Sequence, residues 1–401
     1  MRLSFSLFRK AAILPARPLN GRRSGSSVRG PSTVRRRSRK GPIVRGARID
    51  VTKSRVWYLH WNWNRRCAIG IEPIVTGGPR PPLPLEGTRF VVVGAGRLGV
   101  RLARSLTAEG ASLAGYVTRS SAGSMRAQTL LQIAPSGGLD DLVASAPGLY
   151  LLTVPDDVLP QVAADLALAL ARASRADACA KEPKAPFVMH TSGVSSIRVL
   201  DPCRQAGAVT LAFHPLQTFS GLEIATRCFE GIAVAVTART VDAGDFGFLV
   251  ARALGARPFA LADERRVLYH AAACMASNYL VALEACSQRL FVDAGLPPRQ
   301  ALGLFLPLVR TTLDNIAAQG PVDALTGPIA RGDLLTVRRH LEELRQTSPD
   351  LLPLYRILGL AALELAREAG RVPATVIAQL GLLLGKESQL SHLENDDRGT
   401  S

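Results

Sequence analysis

His270, Cys274 and Asn278 follow one another at intervals of four residues, which on an α-helix places the three side chains along one face. An imidazole gives up a proton near neutrality, and a carboxamide holds a hydrogen bond without titrating. Together they suit a reaction in which negative charge develops on oxygen, because one group neutralises the charge and the other clamps it. Ser277 borders the same face as a further polar contact. Cys274 has no cation beside it in sequence to stabilise a thiolate and is assigned to packing. A second candidate is Arg331 in ALTGPIARGD, where Gly327, Pro328 and Gly332 stiffen a loop able to bring a guanidinium to a substrate carboxylate. The plainer role for that loop is a helix break followed by an N-cap at Asp333.

The elements that must position such groups begin with RFVVVGAGRLGVRLARSLTAEGASLAGYVTRSS, from Arg89 to Ser121. An apolar run (Phe90–Val93) leads into a glycine turn, then an amphipathic stretch with Leu98, Leu102 and Leu106 on one face, then a second apolar run (Ser112–Val117). Gly94 suits the tight turn, Gly96 lets backbone amides approach a pyrophosphate, and Gly99 lets helix and strand pack closely; Ala95, Arg97 and Leu98 complete the loop. The expected ligand is a dinucleotide lying on the helix N-terminus. Which one depends on the end of the second strand, where a carboxylate would accept from a ribose 2′-hydroxyl. Thr118, Arg119, Ser120 and Ser121 stand there instead, a guanidinium and three hydroxyls suited to a 2′-phosphate, so the expected cofactor is NADP.

Further short apolar runs follow, each stopping in a small, polar or proline-bearing turn: Gly148–Val154 before Pro155, Ala185–His190 before Thr191, Ser192 and Gly193, and Val209–Phe213 before His214 and Pro215. Val154 and Pro155 would lie against the nucleotide. Asp156 and Asp157 are assigned to helix capping. Thr191 and Ser192 could hold a carboxamide or serve as an ordinary N-cap. His214 could donate to substrate or be a core histidine bonded to backbone. Continuously apolar strands alternating with helices predict an α/β fold, a doubly wound parallel Rossmann sheet over residues 88–261. From Asp263 the spacing becomes helical throughout, beginning with one long helix that ends at Gly295, which predicts an all-helical C-terminal domain over 262–387 and a polar tail at 388–401. The Leu- and Ala-rich faces of these helices predict burial against the first domain or a second subunit.

The net charge of +17 suggests nucleic acid until it is located. Residues 1–80 hold 19 Lys or Arg against Asp50 and Glu72, which accounts for all of it; the remainder carries 30 charges of each sign. Nucleic acid is therefore not an expected partner of the body. The leader, residues 1–87, could be a basic arm, a transit peptide, or a disordered or artefactual extension, the last being favoured by its Arg, Gly, Ser and Pro content and by the odd patch WYLHWNWNRRC. No run of 18 apolar residues predicts a membrane span, and six cysteines without paired spacing predict reduced thiols in a cytoplasmic protein, with no metal centre.

With VVVGAGRLG, TVPDD, HTSG, AFHPLQTF, YHAAACMASNYLVAL and LTGPIARGD in this order over about residues 88–386, the chain resembles the Rossmann-like family whose helical partner is domain of unknown function 2520. Its architecture is also similar to that of ketopantoate reductase, pyrroline-5-carboxylate reductase and the β-hydroxyacid dehydrogenases. The resemblance implies NADP-dependent reduction of a small keto or imino acid, ketopantoate-like, often in a homodimer. β-Hydroxyacid dehydrogenases and ketopantoate reductases use a Lys and an Asn one turn apart on the interdomain helix, and Tyr269–Asn278 contains no lysine. His270 is thus the expected proton donor, with Asn278 and His214 orienting the substrate and Ser277 and Arg331 contacting it. The alternative is a regulatory protein that binds NADP and turns nothing over.

Overall fold

The computed structural model describes residues 85–176, 185–221 and 227–385. The basic leader to residue 84, with its aromatic patch, and the tail at 388–401 lie outside the described residues. Seven strands, β1 (Arg89–Val93), β2 (Ser112–Val117), β3 (Leu149–Leu152), β4 (Phe187–His190), β5 (Val209–Pro215), β6 (Ala233–Ala238) and β7 (Arg257–Ala260), make one sheet in the order β2-β1-β3-β4-β5-β6-β7. The first five run parallel, and the order reverses between β1 and β3, where the glycine turn sits.

The expected parallel sheet departs from that rule at one place. β6 pairs antiparallel to β5, and β7 runs parallel to β6. A parallel return needs a crossover, usually helical. The connection from 216 to 232 has no helix among its described residues, so the chain turns back beside the strand it left.

Helices cover both faces. α1 (Arg97–Ala108), α2 (Ser121–Leu131) and α6 (Val241–Ala253) pack on one, α3 (Leu139–Ala144), α4 (Leu159–Ala176) and α5 (Asp201–Gln205) on the other. β1 shows why its sequence is apolar without alternation: Phe90 and Val92 enter the first layer, Val91 and Val93 the second, and all four are buried. At about 1.5–3 kcal/mol for each large apolar side chain removed from water, burial on both faces stabilises such a strand.

The C-terminal part is α7 (Arg266–Ala276), α8 (Asn278–Asp293), α9 (Pro298–Ala324), α10 (Gly327–Ala330), α11 (Leu334–Thr347), α12 (Leu352–Ala369) and α13 (Ala374–Gly385), with no strand among the described residues after β7. Its core is a third apolar cluster including Ile329, Val337, Leu341, Leu363 and Leu380. The single long helix expected after Asp263 is two. Ser277, at φ −120° and ψ −66°, separates α7 from α8, although Ser277 N still donates to Ala273 O at 3.1 Å. A serine at the bend fits its weak helix propensity. α9 kinks at Gly320, whose φ of 79° leaves the helix, and the following Pro321 has no N–H to restore the ladder. α8 has no buried residue at all. No described helix is long and apolar enough to cross a membrane.

Candidate active site

The glycine turn does three separate things. Gly94, at φ +95°, occupies a conformation side chains avoid, and a Cβ there would stand 2.7 Å from Val154 Cγ1. At Gly99 a Cβ would come within 2.4 Å of Thr153 Oγ1 and 2.5 Å of Gly94 O, so α1 lies against the strand ends as closely as glycine permits. Around Gly96, by contrast, the space is open, with the nearest atom 3.9 Å from an added Cβ. Gly96 caps α1 without any side-chain hydrogen bond, and the first turn holds no acid, so the helix amides are left for an anion. Thr153 Oγ1 fastens the turn by donating to Gly94 O at 2.6 Å.

These elements wall a cleft of about 620 Å³, within the range of small-ligand sites. Gly94, Ala95, Gly96, Arg97, Thr118, Arg119, Ser120, Val154 and Pro155 line it, as expected from their positions at strand ends. Arg126, on the second turn of α2, lines it too and gives the cleft a second guanidinium besides Arg119. The sequence signal for it was a basic residue six positions beyond Ser120, the residue whose side chain caps α2 by accepting from Gly123 N. Arg101 closes one edge, donating to Arg97 O, Ser220 O and Gly221 O, with Phe219 under its guanidinium at 5.6 Å.

Four residues expected at the cofactor do not line the cleft. Leu98 packs on the core and Gly99 serves helix packing. Thr191 and Ser192 are buried, and their hydroxyls are already engaged. Thr191 Oγ1 donates to Leu152 O at 3.4 Å, while Ser192 Oγ accepts from Ser195 N at 2.9 Å and Val194 N at 3.3 Å. The ordinary turn-capping role holds for Ser192.

Beside the cleft, the turn after β4 supports a second cluster. A Cβ at Gly193 would lie 2.4 Å from His270 Cδ2 and 2.8 Å from His214 Nε2, so both imidazoles close over this glycine. Their ring centroids are 6.0 Å apart. His214 Nδ1 is 2.9 Å from the Tyr269 hydroxyl, and Cys274 Sγ is 3.9 Å from His270 Nδ1. α7 is anchored there by Arg266, which has no solvent exposure. Its Nε donates to Ser195 O at 2.7 Å, Nη1 to Thr237 Oγ1 at 2.9 Å, and Nη2 to Ser192 O. Asp263 holds the other side of the joint, accepting from Ser196 Oγ at 2.5 Å and Ile197 N at 2.8 Å. Arg266 and Tyr269 escaped the sequence reading because neither stands at a strand end, although both precede His270 on one helix.

The electrostatics separate the two histidines of the sheet from ordinary ones. Burial pushes His214 down to about 4, with His270 and Arg266 adding to the shift and Asp156 opposing it. His190 is fully buried, neither ring nitrogen has a hydrogen-bond partner among the described residues, and desolvation with the charge of Arg266 brings it to about 3. Both are neutral at physiological pH. Tyr269 is pushed up to about 12 by burial. His214 can therefore donate or accept a hydrogen bond at neutral pH but cannot act there as a cationic acid.

Three expected substrate residues are not brought to this cluster. The bend at Ser277 ends the helical face that the eight-residue spacing implied, and Asn278 starts α8 exposed, without a side-chain partner among the described residues. Ser277 sits half-buried at the bend and makes no side-chain capping bond. Arg331 lies exposed at the end of α10, which packs on α11 and α12, and Asp333 caps α11 by accepting from Thr336 N at 3.0 Å. The loop is the helix break with a cap.

The family comparisons agree with this architecture. Residues 84–215 match the Rossmann-like domain and residues 232–362 match domain of unknown function 2520, so the chain carries both domains that its motifs resembled. No curated protein matches it. Among solved structures, a candidate NADP oxidoreductase from Bacteroides fragilis is 22% identical, with a TM-score of 0.54 over 71% of this chain and 98% of that one. A protein from Thermotoga maritima is also 22% identical, with a TM-score of 0.52 over 70% and 100%. Both share the fold. A pyrroline-5-carboxylate reductase from Streptococcus pyogenes is 14% identical, with a TM-score of 0.46 over 71% and 98%.

The buried histidines set an acid dependence of stability. Their folded values lie below the ordinary 6.5, so between 6.5 and about 3 to 4 the unfolded chain binds more protons, and stability is lost as pH falls through that window. His190 alone is expected to remove about 2 kcal/mol between pH 7 and pH 5. His190→Met should flatten this part of the dependence in urea unfolding at the two pH values; an identical loss in the variant would contradict a buried neutral His190.

Proposed function

We propose that the chain is an NADPH-dependent oxidoreductase acting on a small keto or imino acid, with ketopantoate the first substrate to try. The observation that carries this is the placement of the glycine cleft and the imidazole pair near the carboxyl ends of neighbouring parallel strands, the edge at which open α/β folds bind ligands. In this reading residues 88–261 hold the coenzyme, and residues 262–387 close the substrate side and pair two copies.

The cleft fits the dinucleotide. The open backbone at Gly96 and the uncapped start of α1 suit a pyrophosphate, and Arg119 and Arg126 flank the wall where a 2′-phosphate would fall, with Thr118 and Ser120 beside them. None of residues 118–121 is a carboxylate that would favour a bare ribose. The Bacteroides fragilis protein that shares the fold is described as a candidate NADP oxidoreductase, which accords with this assignment. When bound, the reduced coenzyme supplies the hydride. The chain supplies the rest: His270 delivers a proton to the substrate oxygen or nitrogen, His214 holds that atom by a hydrogen bond, and the buried charge of Arg266 favours a substrate bearing a carboxylate. Asn278, Ser277 and Arg331 are given no part. The described cysteines are unpaired, consistent with a reducing cytoplasmic compartment.

The apolar side chains that α7, α8 and α9 leave in water call for a cover. Leu268, Met275, Tyr279, Val281 and Leu308 are each more than 60% exposed, on helices that are neighbours in the fold. A second copy of the chain is the proposed cover.

Three measurements test this reading. Arg119→Ala with Arg126→Ala should weaken NADPH binding about tenfold or more while leaving NADH nearly unchanged, by fluorescence titration; equal losses would remove the phosphate role. His270→Ala should lower turnover about a hundredfold with NADPH affinity intact, whereas tight NADPH binding by the unaltered protein without oxidation across 2-keto acids and cyclic imines would assign a sensor instead. Sedimentation at micromolar concentration should report a dimer that Val281→Glu dissociates, and a monomer in the unaltered chain would refute the pairing.

A further inference from the structure

A neutral imidazole carries one proton on two nitrogens, so a histidine that must hydrogen-bond a ligand needs its tautomer set. At His214 the two nitrogens face different surroundings. Nδ1 lies 2.9 Å from the Tyr269 hydroxyl, while Nε2 points to the cradle above Gly193, 2.8 Å from where a Cβ would be. A phenol is a good donor and a poor acceptor, and the unprotonated imidazole nitrogen is a strong acceptor. The favoured pairing therefore puts the Tyr269 proton toward Nδ1 and the imidazole's own proton on Nε2. The tyrosine is held for this: its ring meets His214 edge-on at 5.5 Å and Phe259 at 6.0 Å.

We propose that Tyr269 is a positioning residue whose hydroxyl donates to Nδ1 of His214 and so commits that ring to presenting Nε2–H at the Gly193 turn. The groups facing the ring are Arg266 and His270 from α7, His190 from β4 and Asp156 from the turn after β3. Burial, His270 and Arg266 oppose a second proton on the ring more strongly than Asp156 favours it, which keeps His214 a neutral donor through the physiological range. The two imidazoles then divide the work, His214 clamping the reacting atom and His270 supplying the proton. This division rests on the reading that the Gly193 turn is the substrate side; the tautomer does not.

Long-range ¹H–¹⁵N NMR of the full chain labelled at histidine, without coenzyme, reads the tautomer directly, with His214→Gln to assign the signal. The expected result is an unprotonated Nδ1 and a protonated Nε2 from pH 5 to pH 8. Tyr269→Phe, which keeps the ring and its packing, should move the His214 signals toward a tautomer mixture and lower kcat/KM about tenfold with NADPH affinity unchanged, the size expected for one lost hydrogen bond. A proton on Nδ1 in the unaltered protein, or His214 signals that Tyr269→Phe leaves in place, overturns the inference. The expected tautomer in a protein that turns over no keto or imino acid would support the Tyr269 assignment while defeating the oxidoreductase reading, so the two failures are separable.

Discussion

The guanidinium of Arg266 joins the sheet to the helices at the one place where the candidate site needs both. A buried cation without a carboxylate in contact would be strongly destabilising unless its donors were satisfied. Here they meet two backbone carbonyls of the turn after β4 and the hydroxyl of Thr237 on β6. The turn cannot shift without stranding the charge, and α7 cannot rotate without withdrawing it. Because Tyr269 and His270 stand three and four residues further along α7, this one joint determines where both side chains meet Gly193 and His214.

The same charge divides the site into two electrostatic regions. At the outer cleft, Arg119 and Arg126 are exposed, so water and salt screen them, and they act only on an anion brought close. Inside, Arg266 acts through protein rather than solvent and adds to the burial that keeps His190 and His214 uncharged. Positive charge thus lies at the rim of the cleft, while the two imidazoles of the sheet stay neutral inside.

Much of this was legible from local pattern. Gly94 and Gly99 have the spatial reasons that their spacing implied, and the apolar strands entered a sheet covered on both faces. Asp333 became the N-cap that its position suggested. The misreadings share a cause. An eight-residue interval from His270 to Asn278 indicates one face only while the helix is unbroken, and Ser277 breaks it. Thr191 and Ser192 look free for a ligand in sequence, yet the backbone around them uses both hydroxyls. β6 reads as another parallel strand because an apolar run carries no direction.

Period, turn chemistry and charge placement act over a few residues, so the amino-acid order by itself determined the strands, the glycine turn, the neutral body behind a basic leader and the polar residues at each strand end. Contacts between segments far apart in the chain were decided only by the tertiary structure. Tyr269 meets His214 across 55 positions, and Arg266 meets Ser192 across 74. No local pattern encodes such pairs, because each side chain's partner, burial and charge state depend on which surfaces packing brings together.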